Sequence, residues 1–282
     1  MLSAAAAAPM LCRMAVVSKE SAAQGEVSLK ERYESVRHRM AEAARRSGRN
    51  ASDIVLVAVT KFAAIDDIRK LIELGHVDFG ENRVQTLIQR AAQIDEFLQR
   101  HRELGGRHDP RGPLPRAVRW HMIGHLQRNK VRKVVPLVRL IHSVDSLRLA
   151  EEIQPAAAKL AEPMEVLVEV NVTGEKSKHG IAPAAVKHLI DQIDTMLSLR
   201  VRGLMCMGPL SDDPPASRGP FEFCRELFED IRRTSAAGDR FDILSMGMSH
   251  DFEVAIECGA NVVRVGAAIF GQSQEQETAS DD

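Results

Sequence analysis

The chain has 282 residues, of which 44% are hydrophobic and 27% are charged, and its formal net charge is −1. This is the composition of an ordinary globular protein, and the near-zero charge gives no overall field that would attract nucleic acid or anionic lipid. No apolar stretch approaches the roughly 20 residues that a membrane-spanning helix needs. We therefore predict a cytoplasmic protein that binds neither nucleic acid nor membrane.

The cysteines and the two ends of the chain add little to the predicted fold. The four cysteines are far apart and form neither a metal-ligand pair nor a disulfide framework, which fits a reducing compartment. Residues 1–27 are alanine-rich, with no acid before Glu20, and we predict a disordered leader. A transit peptide, or a start site near Met10 or Met14, is an alternative for this segment. Residues 273–282 are predicted to be a disordered tail.

From residue 28 onward, short apolar runs alternate with amphipathic ones. The first element is a helix that ends near Gly48, since apolar residues recur at helical spacing in Leu29, Tyr33, Val36 and Met40. Strands are predicted at residues 54–60, 77–80, 118–123, 139–142, 166–172, 201–205, 241–244 and 262–265. Helices are predicted between them at residues 64–74, 84–102, 127–135, 146–160, 183–197, 220–235 and 250–258.

Eight strands, most of them followed by a helix, predict a single (β/α)8 barrel over residues 28–272 with an extra N-terminal helix. An open doubly wound sheet is the structural alternative. The segment from Glu103 to Arg116 is rich in glycine, proline and arginine, and it is predicted to be a solvated surface loop.

Unusual residues occur at the ends of the predicted strands, which is where barrels of this type have their chemistry. Lys61 follows the first strand and Asn82 the second. His121, Asn171 and Arg264 lie near the ends of the third, fifth and eighth strands. Each residue alone has a plain structural explanation, such as a helix cap for Asn82 or a satisfied core histidine for His121. Their shared position predicts a functional site.

Lys61 is the most informative of these residues. It ends the first strongly apolar run, and removing an ammonium group from water is costly. One interpretation is that Lys61 is already solvated. The other is a partly buried lysine at the barrel mouth, with a lowered pKa, that condenses with an aldehyde.

The loops after the last two strands have the features of a phosphate site. Ser249 precedes a helical stretch, so its hydroxyl and the following amides can donate to an anion, although a plain helix cap also explains it. Gly266 and Ala267 begin a short turn after the eighth strand. Loops after strands seven and eight commonly bind phosphate in this fold. Together with Lys61, they suggest pyridoxal 5′-phosphate (PLP) held as a Schiff base.

Two further assignments remain open at this point. Arg264, inside the last strand, either donates to the pyridine nitrogen of PLP or forms a salt bridge with Glu253 or Glu257. His121 and His125 have the four-residue spacing of a zinc pair, but a strand end and Gly124 separate them and no third ligand is evident. We therefore predict no metal site.

Seven segments together resemble the pyridoxal phosphate homeostasis protein family, whose members are single-domain relatives of the alanine racemase barrel. These segments are VAVTKF, FGEN, WHMIGHLQRNK, VEVNVTGEKSKHG, GLMCMG, LSMGMSHDFEVAIECGAN and VRVGAAIFG. The resemblance covers residues 29–271. It implies that Lys61 bonds to the cofactor, that Asn82 lies near its ring, that Ser249 and Gly266 hold its phosphate, and that Arg264 faces the pyridine nitrogen. The family usually has threonine at the position of Ala267.

The resemblance implies a monomeric protein that carries or buffers PLP and exchanges it with apo PLP-dependent enzymes, with no committed reaction. An amino-acid racemase is the alternative, but racemisation needs a base on each face of the cofactor. In two-domain racemases the second base is a tyrosine of a C-terminal domain, which we do not expect here, and Tyr33 is predicted to be a core residue. The predicted cofactor-binding residues are Lys61, Asn82, His121, Asn171, Met246, Ser249, Arg264, Gly266 and Ala267.

Overall fold

Eight parallel strands close into a barrel in which each strand pairs with its neighbours in sequence and β8 pairs with β1. The computed structural model describes residues 27–103, 113–175, 178–211, 213–234 and 238–271. Almost all of the predicted leader and tail, and residues 104–112 of the arginine-rich loop, lie outside these ranges. The boundaries predicted for those segments stay predictions.

The strands and helices alternate along the chain. The strands are β1 Val55–Val59, β2 Asp78–Glu81, β3 Arg119–Met122, β4 Val138–Val144, β5 Met164–Val170, β6 Leu199–Cys206, β7 Ile243–Ser245 and β8 Val262–Val265. The helices are α1 Leu29–Arg46, α2 Ile65–Glu73, α3 Val84–Glu103, α4 Val131–Val134, α5 Leu147–Ala157, α6 Pro183–Ile193, α7 Arg218–Thr234, α8 Phe252–Glu257 and α9 Ala267–Phe270. The predicted (β/α)8 barrel with an N-terminal helix is confirmed, and the open sheet is excluded.

Helix α1 lies across the outside of the barrel and packs against α8 and α9. Ser28 and Glu31 form a capping box at its start, with each side chain bound to the other residue's backbone amide. Its apolar face is buried, and on its polar face Arg39 forms a bidentate pair with Glu253, at 3.0 and 2.6 Å. The helical periodicity in the sequence therefore reflects real contact with the barrel.

The hydrophobic core lies mainly between the strands and the surrounding helices, and a smaller cluster of Leu140, Leu167 and Met205 fills the barrel interior. Alternation along each strand sends every second side chain inward. At the N-terminal end of the barrel, the inward positions form ion pairs. Arg119 binds Asp78 at 2.5 Å, and Arg139 and Arg202 both bind Glu165. These pairs occupy the N-terminal end, whereas the site of a barrel of this type lies at the C-terminal mouth.

Within the described part of the chain, no helix combines the length and the apolar character needed to cross a bilayer.

Candidate functional site

The loop after β1 presents Lys61 to solvent. Strand β1 ends at Val59, Thr60 is fully buried, and the amide of Ala63 donates to the carbonyl of Thr60 at 2.8 Å, which makes a tight turn. Lys61 lies on the outer side of this turn and is exposed, with Nζ 4.8 Å from the ring centroid of Phe62. Of the two interpretations of Lys61, the structure supports a solvated side chain, because the turn that begins at Thr60 leaves Lys61 exposed.

A buried ion pair fixes this turn. Glu81, at the end of β2, is fully buried and accepts hydrogen bonds from the Thr60 hydroxyl at 2.7 Å and from Arg90 of α3. Arg90 also donates to the carbonyl of Thr60 and, at 2.7 Å, to that of Ala63. One guanidinium thus binds both ends of the turn. Lys61 is exposed, but its backbone is held firmly.

The loops after β7 and β8 meet at the hydroxyl of Ser249. Its Oγ accepts hydrogen bonds from the amides of Gly266 at 3.1 Å and of Ala268 at 3.2 Å. Two amides after β8 therefore converge on one oxygen position, whereas the sequence suggested the amides after Ser249 itself. Because the oxygen accepts both bonds, the hydroxyl proton remains available for donation to an anion.

Glycine lets these loops approach the end of β1. A Cβ on Gly266 would lie 3.0 Å from the carbonyl oxygen of Val59, two residues before Lys61. In the loop after β7, Gly247 has φ +92° and a Cβ there would lie 2.8 Å from Cα of Phe252. The close packing brings the converging amides and the Lys61 turn to one side of the mouth.

Arg264 points into the barrel and is almost completely buried. Its Nη1 donates to Oγ of Ser245 at 2.7 Å, and its Nη2 donates to the carbonyl of Cys206 at 2.9 Å. The alternative salt bridge is wrong, because Glu253 binds Arg39 and Glu257 binds Arg46 and Arg218 on the outside of the barrel. Burial lowers the pKa of Arg264, but an arginine still keeps its charge at neutral pH.

A chain of hydrogen bonds runs from Arg264 across the barrel. Ser245 contacts Nδ1 of His142 at 3.0 Å, Nε2 of His142 contacts Nδ1 of His121 at 3.0 Å, and Nε2 of His121 contacts Asp78 at 3.1 Å. His121, predicted to bind the cofactor, therefore has both ring nitrogens occupied inside the barrel. Its structural explanation as a satisfied core histidine accounts for these contacts.

Arg264 and Asp78, at the two ends of this series of hydrogen bonds, determine which atom donates in each bond. Arg264 can only donate, and Asp78 is a carboxylate because hydrogen bonds from His121 and Arg119 outweigh the effect of burial and lower its pKa to about 2. Burial, with the nearby His121 and Arg264, lowers the pKa of His142 well below its usual value. In the state in which both imidazoles are neutral, the Asp78 carboxylate fixes the tautomers: each histidine has its proton on Nε2, and each group donates to the next from Arg264 to Asp78.

Glu169, near the end of β5, is another buried ionisable group. Burial and the charge of Asp145 raise its pKa from 4.5 to about 7, and Arg264 opposes the shift. Glu169 is not among the residues predicted from the sequence. An acidic residue on the mouth side of an otherwise apolar strand is the signal that could have indicated it.

The side chains of the four remaining predicted residues lie in different surroundings. Oδ1 of Asn82 is a buried oxygen without a hydrogen-bond partner in the described structure, so it is free for a ligand. The side chain of Asn171 closes its own loop through Gly174 and Glu175, at 3.0 and 2.9 Å. Met246 is fully buried in the outer core, and Ala267 is exposed beside the converging amides.

These features fit a ligand with an aldehyde, a phosphate and a ring nitrogen. The mouth offers a primary amine, two amides that converge on an oxygen, a buried guanidinium and an amide oxygen with no partner. The fold and the site together define a (β/α)8 barrel of the alanine racemase N-terminal-domain class.

Comparisons with known proteins agree with this class. The family described as alanine racemase, N-terminal domain, matches residues 32–274. A pyridoxal phosphate homeostasis protein of Aquifex aeolicus is 38% identical over 242 residues, which cover 86% of this chain and 97% of that protein. The chain belongs to the alanine racemase N-terminal-domain family and, within it, to the pyridoxal phosphate homeostasis proteins.

Two solved structures have the same barrel. An unknown protein from Bifidobacterium adolescentis is 36% identical with a TM-score of 0.75, covering 86% of this chain and 94% of that one. PipY of Synechococcus elongatus PCC7942, solved with PLP bound, is 30% identical with a TM-score of 0.67, covering 86% of this chain and 100% of that one.

The raised pKa of Glu169 predicts how stability changes with pH. Below about pH 4.5 the carboxyl is protonated in both the folded and unfolded chain, whereas above about pH 7 the folded protein must hold a buried charge. Stability should therefore fall as pH rises from 4.5 to 7, by a few kcal/mol at most. In Glu169→Gln this fall should be smaller, so the variant gains stability relative to the parent at pH 8 but not at pH 4.5.

Urea unfolding at both pH values, in buffer with a chelator so that no cation alters the local field, measures the difference. Asp191→Asn on the exposed face of α6 is the control. An equal effect of Glu169→Gln at pH 4.5 and pH 8 would contradict the assignment.

Proposed function

We propose that this protein binds PLP at the C-terminal mouth of the barrel and carries or buffers the cofactor, with no committed reaction of its own. The observation that supports this most directly is the position of the Lys61 turn beside the β8 loop, whose two amides converge on Ser249. Membership of the pyridoxal phosphate homeostasis family supports the same ligand.

Each part of the ligand has a matching group in this chain. The amine of Lys61 would provide the covalent attachment, and the Gly266–Ala268 backbone with the Ser249 hydroxyl would hold the phosphate. Arg264 would lie toward the pyridine nitrogen, and Asn82 would offer its free oxygen. When bound, PLP supplies an aldehyde for amines and a ring that can stabilise negative charge. A permanently charged arginine at the ring nitrogen keeps that nitrogen unprotonated and weakens this second property.

The arrangement favours a carrier over a racemase. Racemisation needs a second base on the opposite face of the cofactor. The only tyrosine of the chain, Tyr33, is buried on α1 and bonded to His76 at 3.1 Å, near the start of β2 at the other end of the barrel. The exposure of Lys61 also makes access by a recipient enzyme feasible.

The first test asks whether Lys61 forms the covalent bond to PLP. The protein should show visible absorbance when PLP is added, and borohydride reduction followed by peptide mapping should place the pyridoxyl group on Lys61. Lys61→Ala should lose the absorbance and keep the fold. Lys178→Ala is the matched control, because Nζ of Lys178 is already bonded to the Gly208 carbonyl and to Glu175. A label found mainly on Lys178 or Lys130 would overturn the assignment.

If Ser249 holds the phosphate, loss of its hydroxyl should weaken the binding of PLP more than the binding of pyridoxal. Ser249→Ala should weaken PLP binding by about tenfold or more, since a hydrogen bond to a charged group contributes roughly 1.5–3 kcal/mol. Binding of pyridoxal, which has no phosphate, should change little. Ala267→Thr, which adds a hydroxyl beside the same amides, should tighten PLP binding. If Ser249→Ala weakened both ligands equally, Ser249 would serve only the loop structure.

The third test separates a carrier from an enzyme. The PLP-loaded protein, incubated with L-alanine in deuterium oxide, should show negligible racemisation and little α-deuterium exchange. Mixed with an apo PLP-dependent enzyme, it should restore that enzyme's activity while it loses its own absorbance. Racemic product formed at roughly 1 per second or faster, an ordinary enzymatic rate, would favour the racemase alternative.

A further inference from the structure

Three side chains outside the proposed cofactor site converge at the barrel mouth. His125 lies in the loop after β3, Asp145 directly follows β4, and His179 lies in the segment between β5 and α6. The ligating atoms of the three residues all lie within 4.8 Å of one another. Since successive strands contribute them, the fold itself brings these residues together.

The three groups face one another without forming hydrogen bonds. Nδ1 of His125 is 3.6 Å from Oδ2 of Asp145, beyond hydrogen-bond distance. The rings of His125 and His179 are nearly parallel, at 14°, with centroids 4.5 Å apart. An imidazole lone pair lies in the plane of its ring, so the two parallel rings present their nitrogens side by side, and rotation of the exposed His179 ring would let both bind one ion beside the carboxylate.

The surrounding structure orients these side chains. The Ser146 hydroxyl donates to Oδ1 of Asp145 at 3.1 Å, which leaves Oδ2 toward His125. Before His125, the carbonyl of Gly124 accepts from Ser143 at 2.7 Å. A Cβ on Gly124 would lie 2.3 Å from the Asn82 carbonyl, so the chain fits closely there. Hydrogen bonds to ligand residues of this kind are typical of metal sites.

Both neighbours of His179 are also fixed. Lys178 binds the carbonyl of Gly208 at 2.7 Å and Glu175 at 2.8 Å. Gly180 has φ +106°, and a Cβ there would lie 2.8 Å from the amide nitrogen of Asn171. The backbone of His179 is therefore held on both sides, although its side chain is exposed.

We infer that His125, Asp145 and His179 form a binding site for a divalent transition-metal ion of the zinc type. Imidazole nitrogens favour zinc, copper, iron and nickel over magnesium or calcium, which prefer oxygen ligands. Three protein ligands leave at least one coordination position for water. His121 is not part of the site, since both of its ring nitrogens are bonded inside the barrel.

Metal binding can be tested independently of PLP. The full chain, stripped of cofactor and of any affinity tag, should bind one Zn²⁺ ion in competition with a chromophoric chelator. Co²⁺ in place of Zn²⁺ should give visible d–d bands that report nitrogen and oxygen coordination. Lys61→Ala should bind Zn²⁺ as the parent does, so failure of the proposed function would leave this result unaffected.

Removal of one ligand should weaken Zn²⁺ binding at least about tenfold and abolish the Co²⁺ spectrum. The variants are His125→Ala, His179→Ala and Asp145→Asn, with the fold checked by circular dichroism. His38→Ala is the matched control, because His38 forms an exposed pair with Glu42 at a similar separation, 3.7 Å. Unchanged affinity in His179→Ala and His125→Ala, or an equal loss in His38→Ala, would overturn the inference.

Discussion

The buried ion pair between Glu81 and Arg90 is the constraint on which the site depends. A buried carboxylate and guanidinium are costly to remove from water, and they are stable only when their remaining hydrogen-bonding groups are also satisfied. Here the satisfying groups are backbone atoms of the site: the carbonyls of Thr60 and Ala63 on either side of Lys61, and the amide of Asn82. The interaction that satisfies the buried charges is thus the one that positions the lysine.

Charged groups have different partners at the two ends of the barrel. At the N-terminal end, arginines pair directly with carboxylates, as in Arg119 with Asp78 and Arg139 with Glu165. At the mouth, two groups lack such an arginine partner among the described residues: Glu169 has a raised pKa, and Oδ1 of Asn82 has no hydrogen bond. Groups that the fold leaves unsatisfied are the ones available to a ligand.

The sequence predicted the barrel well because hydrophobic periodicity and the alternation of strands and helices are both visible in short stretches of the chain. All eight predicted strands are present, with ends that differ from the predicted ones by at most two residues. Strand β5 begins at Met164, before the predicted residue 166, because Glu165 is paired with two arginines. The predicted helix 127–135 is instead a short 3-10 turn at Arg128–Lys130 followed by α4, so apolar spacing alone did not reveal the break.

The sequence predicted which strand ends contribute residues to the site, but not which atoms of those residues bind one another. Residues at the ends of parallel strands must lie at one mouth, so Lys61, Asn82 and Ser249 could be proposed from position alone. Which atoms bind one another could not, because the partners are distant in sequence. His142 and Ser245, for example, are 103 positions apart. Asn171 and Met246 were at suitable positions, but local turn geometry and outer-core packing determine where their side chains lie.

When both imidazoles are neutral, the hydrogen-bonded series from Arg264 to Asp78 is a one-way row of dipoles inside the barrel. Every donor then points toward Asp78, so the bond dipoles are aligned, as the peptide dipoles of a helix are. If His121 alone took the other neutral tautomer, Nε2 would face the Asp78 carboxylate without a proton, and two N–H groups would face each other between the rings. The electric potential at the Arg264 guanidinium thus depends on the Asp78 carboxylate at the opposite end of this series of hydrogen bonds.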